Sequence, residues 1–257
     1  MKIGGKTRRI AVCGKGGVGK TSMTALMLKH LSGRKDLKIL AVDADPAVGL
    51  AWVLDVNVKK TVNDLRNEII EKSRDREKIA RQELAEAVDY KLFDALTEGN
   101  NFAFLAIGRP ESEGCYCRVN DLLKEIIESL SADFDVVLID GEAGIEQVNR
   151  RVMKEVDDLV LVSDPSAKGV RVAEALWNLV REQNAVACSR AGLVLNRVRD
   201  GEEAKGVMER TSLELFGWIP EDERLRRQDV EGKSFLDLPD DFPAGAAVAG
   251  IMRKLGF

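Results

Sequence analysis

The sequence predicts a single α/β domain, built on a mostly parallel central sheet with helices on both faces. Strand-like and helix-like segments alternate almost from end to end, and the strand-like runs are apolar and often β-branched. Such runs are typical of parallel strands that are buried on both faces. Because the chain of 257 residues shows neither a linker nor an internal repeat, we expect one domain over residues 1–257.

Seven short apolar segments predict strands, at Ile10–Cys13, Leu37–Val42, Phe102–Ile107, Val136–Ile139, Leu159–Val162, Leu193–Leu195 and Leu215–Ile219. Longer segments between them predict helices, at Lys20–Leu31, Asn120–Leu130, Gly169–Asn184 and Glu221–Val230. Residues 59–99 mix acidic and basic side chains at helical spacing, which predicts a charged helical insertion beside the core. We interpret this insertion as a solvated face, with a docking surface for a partner protein as the alternative.

The amphipathic pattern at the carboxyl end, residues 245–257, predicts a closing helix. Val248, Ile251, Met252 and Leu255 fall on one side of it, so we expect that side to pack on the core. Arg253 and Lys254 leave a helix on a membrane surface as the alternative.

Composition places the chain among ordinary globular proteins, with 45% hydrophobic and 32% charged residues. A net charge of -4 gives no support to a nucleic-acid surface, and no apolar run approaches the ~20 residues of a membrane span. The residues before Ile10 lack the apolar stretch of a secretory signal. We therefore expect a cytoplasmic protein with neither a nucleic-acid nor a membrane partner, and no disulfide framework among its four cysteines.

A phosphate-binding loop lies between the first predicted strand and the first predicted helix. The pattern G-x-x-x-x-G-K-[ST] is met by Gly14, Gly19, Lys20 and Thr21. In such a loop, backbone N–H groups and the helix amino terminus face phosphate oxygens, the lysine reaches the β- and γ-phosphates, and the threonine hydroxyl binds Mg²⁺. The predicted nucleotide-binding residues here are Gly14, Lys15, Gly16, Gly17, Val18, Gly19, Lys20, Thr21 and Ser22.

The second lysine of the loop, Lys15, makes the sequence Lys-Gly-Gly-Val-Gly-Lys-Thr similar to the deviant Walker A motif of the MinD/ParA and nitrogenase-iron-protein class. The resemblance implies a homodimer that holds two ATP molecules face to face. It also implies that Lys15 reaches the nucleotide of the partner subunit and acts in catalysis with Lys20.

Carboxylates follow two of the predicted strands. Asp43 and Asp45 end one strand, and Asp140 ends another after four apolar residues. Ligands of open α/β sheets bind at this edge, so these acids can face the nucleotide and its Mg²⁺. Asp140 matches a Walker B aspartate that holds Mg²⁺ through water. Resemblance to the class implies that Asp43 supports the Mg²⁺ shell and that Asp45 positions the attacking water.

Two later segments favour ATP over GTP. A GTPase is expected to show Asn-Lys-x-Asp after its late strand, whereas here the strand ends Asn-Arg-Val-Arg from Asn196. Asn196 resembles the adenine-side asparagine of the MinD-like class. Pro220, which begins Pro-Glu-Asp, resembles the backbone base-binding loop of that class.

The segment at residues 108–118 contains Cys115 and Cys117, one residue apart. Thiolates select soft or borderline metals such as Zn²⁺, Ni²⁺, Cu⁺ or iron–sulfur clusters, and a closed tetrahedral site needs four ligands. One chain offers two at this loop, so the pair leaves the metal open, borrows ligands, or meets the same pair of a second subunit. The dimer implied by Lys15 agrees with the last arrangement, and incidental surface thiols are the alternative.

These features together resemble the CooC-type maturation factors of CO dehydrogenase. The resemblance rests on the loop at residues 14–21, Asp43-Ala-Asp-Pro, Gly-Cys-Tyr-Cys, and Asp140-Gly-Glu-Ala-Gly, and it covers nearly the whole chain. It implies an ATPase that helps to insert nickel into CO dehydrogenase or acetyl-CoA synthase and that binds Ni²⁺ or Zn²⁺ through Cys115 and Cys117. Where the family often carries histidine after this last stretch, the chain has Gln147.

Two other functions remain open at this stage. In an iron–sulfur redox ATPase like the nitrogenase iron protein, the same four thiolates would hold a cluster, although the nitrogenase cysteines stand at different and widely separated positions. A MinD/ParA-like positioning ATPase would bind lipid or DNA in an ATP-dependent way, and it would leave the cysteine pair without a role.

Overall fold

The structure is a computed structural model that describes residues 6–74, 92–109, 124–125, 127–141, 155–183 and 187–257. Its strands are β1 (Arg8–Gly14), β2 (Ile39–Asp43), β3 (Leu96–Gly99), β4 (Phe102–Ala106), β5 (Val136–Asp140), β6 (Glu155–Ser163), β7 (Ala187–Val198) and β8 (Leu215–Pro220). They form one sheet in the order β3-β4-β2-β5-β1-β6-β7-β8. Every neighbouring pair is parallel except β3 with β4, which confirms the mostly parallel sheet.

The helices are α1 (Lys20–Ser32), α2 (Gly49–Leu54), α3 (Val62–Arg74), α4 (Ala167–Gln183), α5 (Gly201–Met208), α6 (Glu223–Val230) and α7 (Pro243–Leu255). Within the described residues, a 3-10 turn spans Phe235–Asp237, and residues 92–95 and 127–131 are also helical. All seven predicted strands are present, and three of the four predicted helices agree with α1, α4 and α6. The predicted helix Asn120–Leu130 lies partly outside the described residues.

Two apolar clusters cover the two faces of the sheet, which confirms helices on both sides. On one face, Leu65 of α3, Val170 of α4 and Ala204 of α5 pack on the strands. On the other face, Met27 of α1 and Ile251 of α7 belong to the second cluster. Because both faces are covered, the central strands β2 and β5 are buried along their whole length.

Helix α7 closes the second face of the sheet, as the amphipathic pattern predicts. Its side chains Val248, Ile251, Met252 and Leu255 are almost completely buried. The helix begins with Pro243 in its first turn and is followed by Gly256, whose φ of 94° suits a glycine. The interpretation of this segment as a closing helix is therefore confirmed.

The segment at residues 59–99 contains more than the charged helices that its composition predicts. Its described part holds α3, which buries Val62, Leu65 and Ile69, and it ends in the antiparallel edge strand β3. Asn100 and Asn101 form the two-residue turn between β3 and β4, and Asn101 takes a left-handed φ of 64°. Asparagine tolerates that conformation, so this pair is the signal in the sequence from which the hairpin could have been predicted.

Among the described residues, we find no helix with the length and apolar character that crossing a bilayer requires.

Candidate nucleotide-binding site

The phosphate-binding loop connects β1 to α1 at the carboxyl edge of the sheet. Gly14 ends β1 beside β6, and a Cβ placed on it would lie 2.1 Å from the carbonyl oxygen of Val162. Gly19 has a φ of 91°, and a Cβ there would lie 2.3 Å from Nδ2 of Asn196. Both positions therefore require glycine, because a side chain would collide with a neighbouring strand and the backbone at Gly19 disfavours L residues.

Lys20 spans the inside of this loop. Its side chain is buried, and Nζ donates a hydrogen bond of 3.3 Å to the carbonyl oxygen of Lys15. The ammonium group is therefore held against the loop backbone where the phosphate chain of a nucleotide is expected. Thr21 and Ser22 follow in the first turn of α1, and Lys15 is half-buried at the start of the loop.

Asp43 and Asp140 end the neighbouring strands β2 and β5 and face each other in register. Asp43 accepts hydrogen bonds from the backbone N–H groups of Asp45 (3.1 Å) and Leu50 (2.9 Å). Asp140 Oδ1 accepts a bond of 3.1 Å from the Thr24 hydroxyl. No donor within the described ranges bonds to Asp140 Oδ2, although this oxygen is buried. A buried carboxylate oxygen without a donor is what a cation or its bound water would satisfy.

Burial changes the acidity of both carboxyl groups. Removal from water, together with the neighbouring charge of Asp140, raises the pKa of Asp43 to about 7. Burial also raises the pKa of Asp140 to about 6, against the opposing effect of the hydroxyls of Thr21 and Thr24 and the charge of Lys20. Two adjacent acids of this kind favour a bound divalent cation, since the cation would replace protons and remove the repulsion. The donor set thus fits Mg²⁺, with carboxylate and hydroxyl oxygens as ligands.

Asp45 lies just beyond the end of β2 and is partly exposed. Its Oδ1 accepts a hydrogen bond of 2.8 Å from the N–H of Ala47, and this turn leads into α2. The role of Asp45 in positioning water stays a prediction.

A cavity of about 310 Å³ lies beside the first turn of α1. It is lined by the ends of β7 and β8 and by α6, and its walls include Ser22, Asn196, Pro220, Leu225 and Phe235. The structure thus brings together Asn196 and Pro220, the two residues predicted to face the base. A cleft at the carboxyl ends of parallel strands, next to a phosphate-binding loop, is where a nucleotide base is expected.

The family model described as "CbiA: CobQ/CobB/MinD/ParA nucleotide binding domain" matches residues 10–235. The chain belongs to this family. The match confirms a nucleotide-binding domain of the MinD/ParA type, and it covers the loop, the acids and the cavity described above.

Individual relatives match nearly the whole length of this CbiA-family chain. An uncharacterized ATP-binding protein of Methanocaldococcus jannaschii is 36% identical over 96% of this chain and 97% of its own. The carbon monoxide dehydrogenase accessory protein CooC of Rhodospirillum rubrum is 25% identical over 96% of this chain and 97% of its own. The septum site-determining protein MinD of Pyrococcus horikoshii, solved in complex with Mg-ADP, has a TM-score of 0.69 at 24% identity, covering 97% and 96% of the two chains. The last comparison confirms the fold.

The predicted metal ligands Cys115 and Cys117 lie outside the described residues of this CbiA-family chain. Within the described residues, no group of three or more histidine, cysteine and acidic side chains is arranged to hold a metal ion. The other two cysteines are free thiols, Cys13 buried and Cys188 partly buried. Burial raises the pKa of Cys13 to about 12, so it stays a thiol at neutral pH.

One residue of the site has no counterpart in the sequence predictions. Arg197 lines the cavity, and its guanidinium donates a hydrogen bond of 3.3 Å to the carbonyl oxygen of Gly17. Its left-handed φ of 59° is not predictable from the residue type. The sequence feature from which Arg197 could have been predicted as a site residue is its place directly after Asn196, at the end of a predicted strand.

Proposed function

We propose that this protein is an ATP-hydrolysing metallochaperone that helps to insert nickel into CO dehydrogenase or acetyl-CoA synthase. The observation that carries the proposal is the Cys115-Tyr-Cys117 sequence, within a chain that is similar over 96% of its length to a CO dehydrogenase accessory protein. Nickel, or zinc in its place, is the cargo of the protein, and the thiolates of the two cysteines are its ligands.

In this proposal, ATP binds at the carboxyl edge of the sheet. Lys20 leaves the carbonyl oxygen of Lys15 and binds the β- and γ-phosphates, and Asp45 orients the attacking water. Thr21, Asp43 and Asp140 form the shell of Mg²⁺. When bound, this ion supplies positive charge that stabilises the developing negative charge on the phosphate oxygens.

A homodimer gives both Lys15 and the cysteine pair a role. In the deviant Walker A class, which the loop resembles, this lysine contacts the nucleotide of the partner subunit, so ATP closes a homodimer. Closure brings Cys115 and Cys117 of both chains to a shared site with four thiolates. ATP and metal then each favour the closed state, which couples their affinities, and hydrolysis reopens the dimer beside its client enzyme.

Helix α7 gives no support to membrane binding in the positioning-ATPase alternative. A helix that binds a membrane surface needs an exposed apolar side, whereas Val248, Ile251, Met252 and Leu255 of α7 are buried against the sheet. The iron–sulfur alternative uses the same cysteines. It predicts a brown protein with broad visible absorption after anaerobic purification, whereas a zinc-loaded carrier is colourless.

The metal site is tested by a Cys115→Ala, Cys117→Ala double variant. We expect its affinity for Ni²⁺ and Zn²⁺, measured by calorimetric titration with and without a slowly hydrolysed ATP analogue, to fall at least about tenfold, because both thiolates of each chain are removed. The Cys188→Ala variant is the matched control, since it removes a partly buried thiol elsewhere, and its metal binding should be unchanged. Equal metal affinity in the double variant and the wild type would refute the proposal.

The dimer is tested by a Lys15→Ala variant. We expect it to stay monomeric with ATP and to hydrolyse ATP at least about tenfold more slowly, because the charge that reaches the partner's nucleotide is lost. Light scattering after size-exclusion chromatography, with and without ATP, measures the assembly. The exposed Lys35→Ala serves as the control. An ATP-dependent dimer that persists in Lys15→Ala would show that this lysine is not the link between the subunits.

A further inference from the structure

The end of β7 contacts the phosphate-binding loop at three consecutive positions, although the two segments lie about 180 residues apart in the sequence. Asn196 Nδ2 donates a hydrogen bond of 2.8 Å to the carbonyl oxygen of Val18. Arg197 donates one of 3.3 Å to the carbonyl oxygen of Gly17. The Asn196 amide also lies directly against Gly19, where any Cβ would collide with it.

Both side chains are themselves held in place. Asn196 is buried, and its Oδ1 accepts a hydrogen bond of 3.0 Å from the N–H of Arg197. Its amide oxygen and one amide hydrogen are therefore used within the protein. Arg197 adopts a φ of 59°, a conformation that costs a non-glycine residue free energy and is retained where surrounding contacts favour it. This backbone conformation places the guanidinium group over the loop.

The planarity of the peptide bond gives these contacts a consequence for phosphate binding. In a trans peptide unit, the carbonyl oxygen of one residue and the N–H of the next point in opposite directions. Because β7 holds the Gly17 carbonyl, the N–H of Val18 must point away from β7. The bond to the Val18 carbonyl directs the N–H of Gly19 in the same way. A phosphate-binding loop holds its anion through N–H groups that point into the loop.

We propose that Asn196 and Arg197 are positioning residues, which orient the N–H groups of Val18 and Gly19 toward phosphate before any ligand arrives. The family assignment already makes the domain nucleotide-binding, so this proposal does not depend on the nickel function. It differs from the predicted role of Asn196 as a base contact, because it requires Asn196 to matter for a ligand that has no base at all.

The test compares Mg-ATP with Mg-tripolyphosphate, which carries the phosphate chain without adenosine. In Asn196→Ala we expect the Kd of both ligands, measured by calorimetry, to rise by a similar factor of about ten, since one buried hydrogen bond that shapes the loop is lost. A rise for ATP with an unchanged Kd for tripolyphosphate would mean that Asn196 contacts the base alone, and would overturn the proposal.

Arg197 provides a second variant at an exposed side chain, where folding is not at risk. In Arg197→Ala we expect both Kd values to rise about threefold, and Arg197→Lys should recover part of the loss by keeping a donor. Arg199→Ala is the matched control, because Arg199 stands two residues away and pairs with Glu203 instead of the loop. Its Kd values should equal those of the wild type.

Backbone dynamics without ligand separate loop positioning from a direct contact of Arg197 with phosphate. We expect the NMR order parameters of the Val18 and Gly19 N–H groups to fall in both Asn196→Ala and Arg197→Ala, relative to the wild type and Arg199→Ala. If they are unchanged in the ligand-free variants, the two residues do not shape the loop and the proposal fails.

Discussion

Replacing Asp140 by asparagine is expected to stabilise the ligand-free protein by about 2 kcal/mol above pH 7, while ATP hydrolysis falls about a hundredfold. The stabilisation arises because burial makes ionisation of this carboxyl costly in the folded state. Asparagine can keep the hydrogen bond from Thr24 to Oδ1 and carries no charge. Hydrolysis is expected to fall because Asp140 is an anionic member of the proposed Mg²⁺ shell.

The stabilisation by Asp140→Asn is expected to increase as the pH rises. The ordinary pKa of 3.8 rises to about 6 in the folded protein, so between these values Asp140 ionises in the unfolded chain and stays protonated in the folded one. The unfolded state then binds fewer protons, and stability falls as pH rises through this window. The advantage of Asp140→Asn should therefore be absent below about pH 4, grow up to about pH 6, and then level off. Near pH 7 the advantage of Asp140→Asn should increase once more. Asp43, with a pKa of about 7, ionises there, and in the wild type its charge is repelled by that of Asp140.

Urea unfolding in EDTA without nucleotide, at pH 4, 5, 6 and 8, measures this profile. Asp133→Asn is the control, since Asp133 is exposed at the turn before β5 and its replacement should leave the profile unchanged. A constant difference between Asp140→Asn and the wild type across this range would mean that the buried ionisation is not the cause.

Replacing Gly14 by alanine is expected to destabilise the protein by about 3 kcal/mol or more. The added Cβ would lie 2.1 Å from the carbonyl oxygen of Val162, which belongs to the neighbouring strand β6 and cannot move without disturbing the sheet. The φ of 153° at Gly14 adds backbone strain. The expected readout is a lower urea midpoint of the ligand-free protein with an unchanged slope.

Gly16→Ala is the matched control in the same loop. Apart from Gly16 itself and its two chain neighbours, no atom of the described structure lies within 4 Å of a Cβ at Gly16, so we expect the stability of this variant to stay within about 0.5 kcal/mol of the wild type. Equal loss of stability in both variants would contradict the assignment of Gly14 to a steric role.

Much of the fold follows from local patterns in the sequence. Seven of the eight strands in the described residues were predictable because each contains a short apolar run, and such runs are distinctive. The strand β3 is short and only half-buried, so its pattern is weak and its charged context predicts helix. Helices α2 and α5 are also short, and such helices depend for their stability on packing against neighbouring elements more than on their own periodicity.

The sequence by itself determined the phosphate-binding loop, the acids at the strand ends and the MinD/ParA type of the domain, because each rests on motifs of residues that are close together in the chain. Only the tertiary structure decided which distant groups meet. It placed Asp43 opposite Asp140 through the pairing of β2 with β5, and it placed Asn196 and Arg197 on the loop carbonyls. These contacts depend on the order of strands in the sheet, which no local pattern encodes, and they turn a recognisable motif into a loop of defined shape.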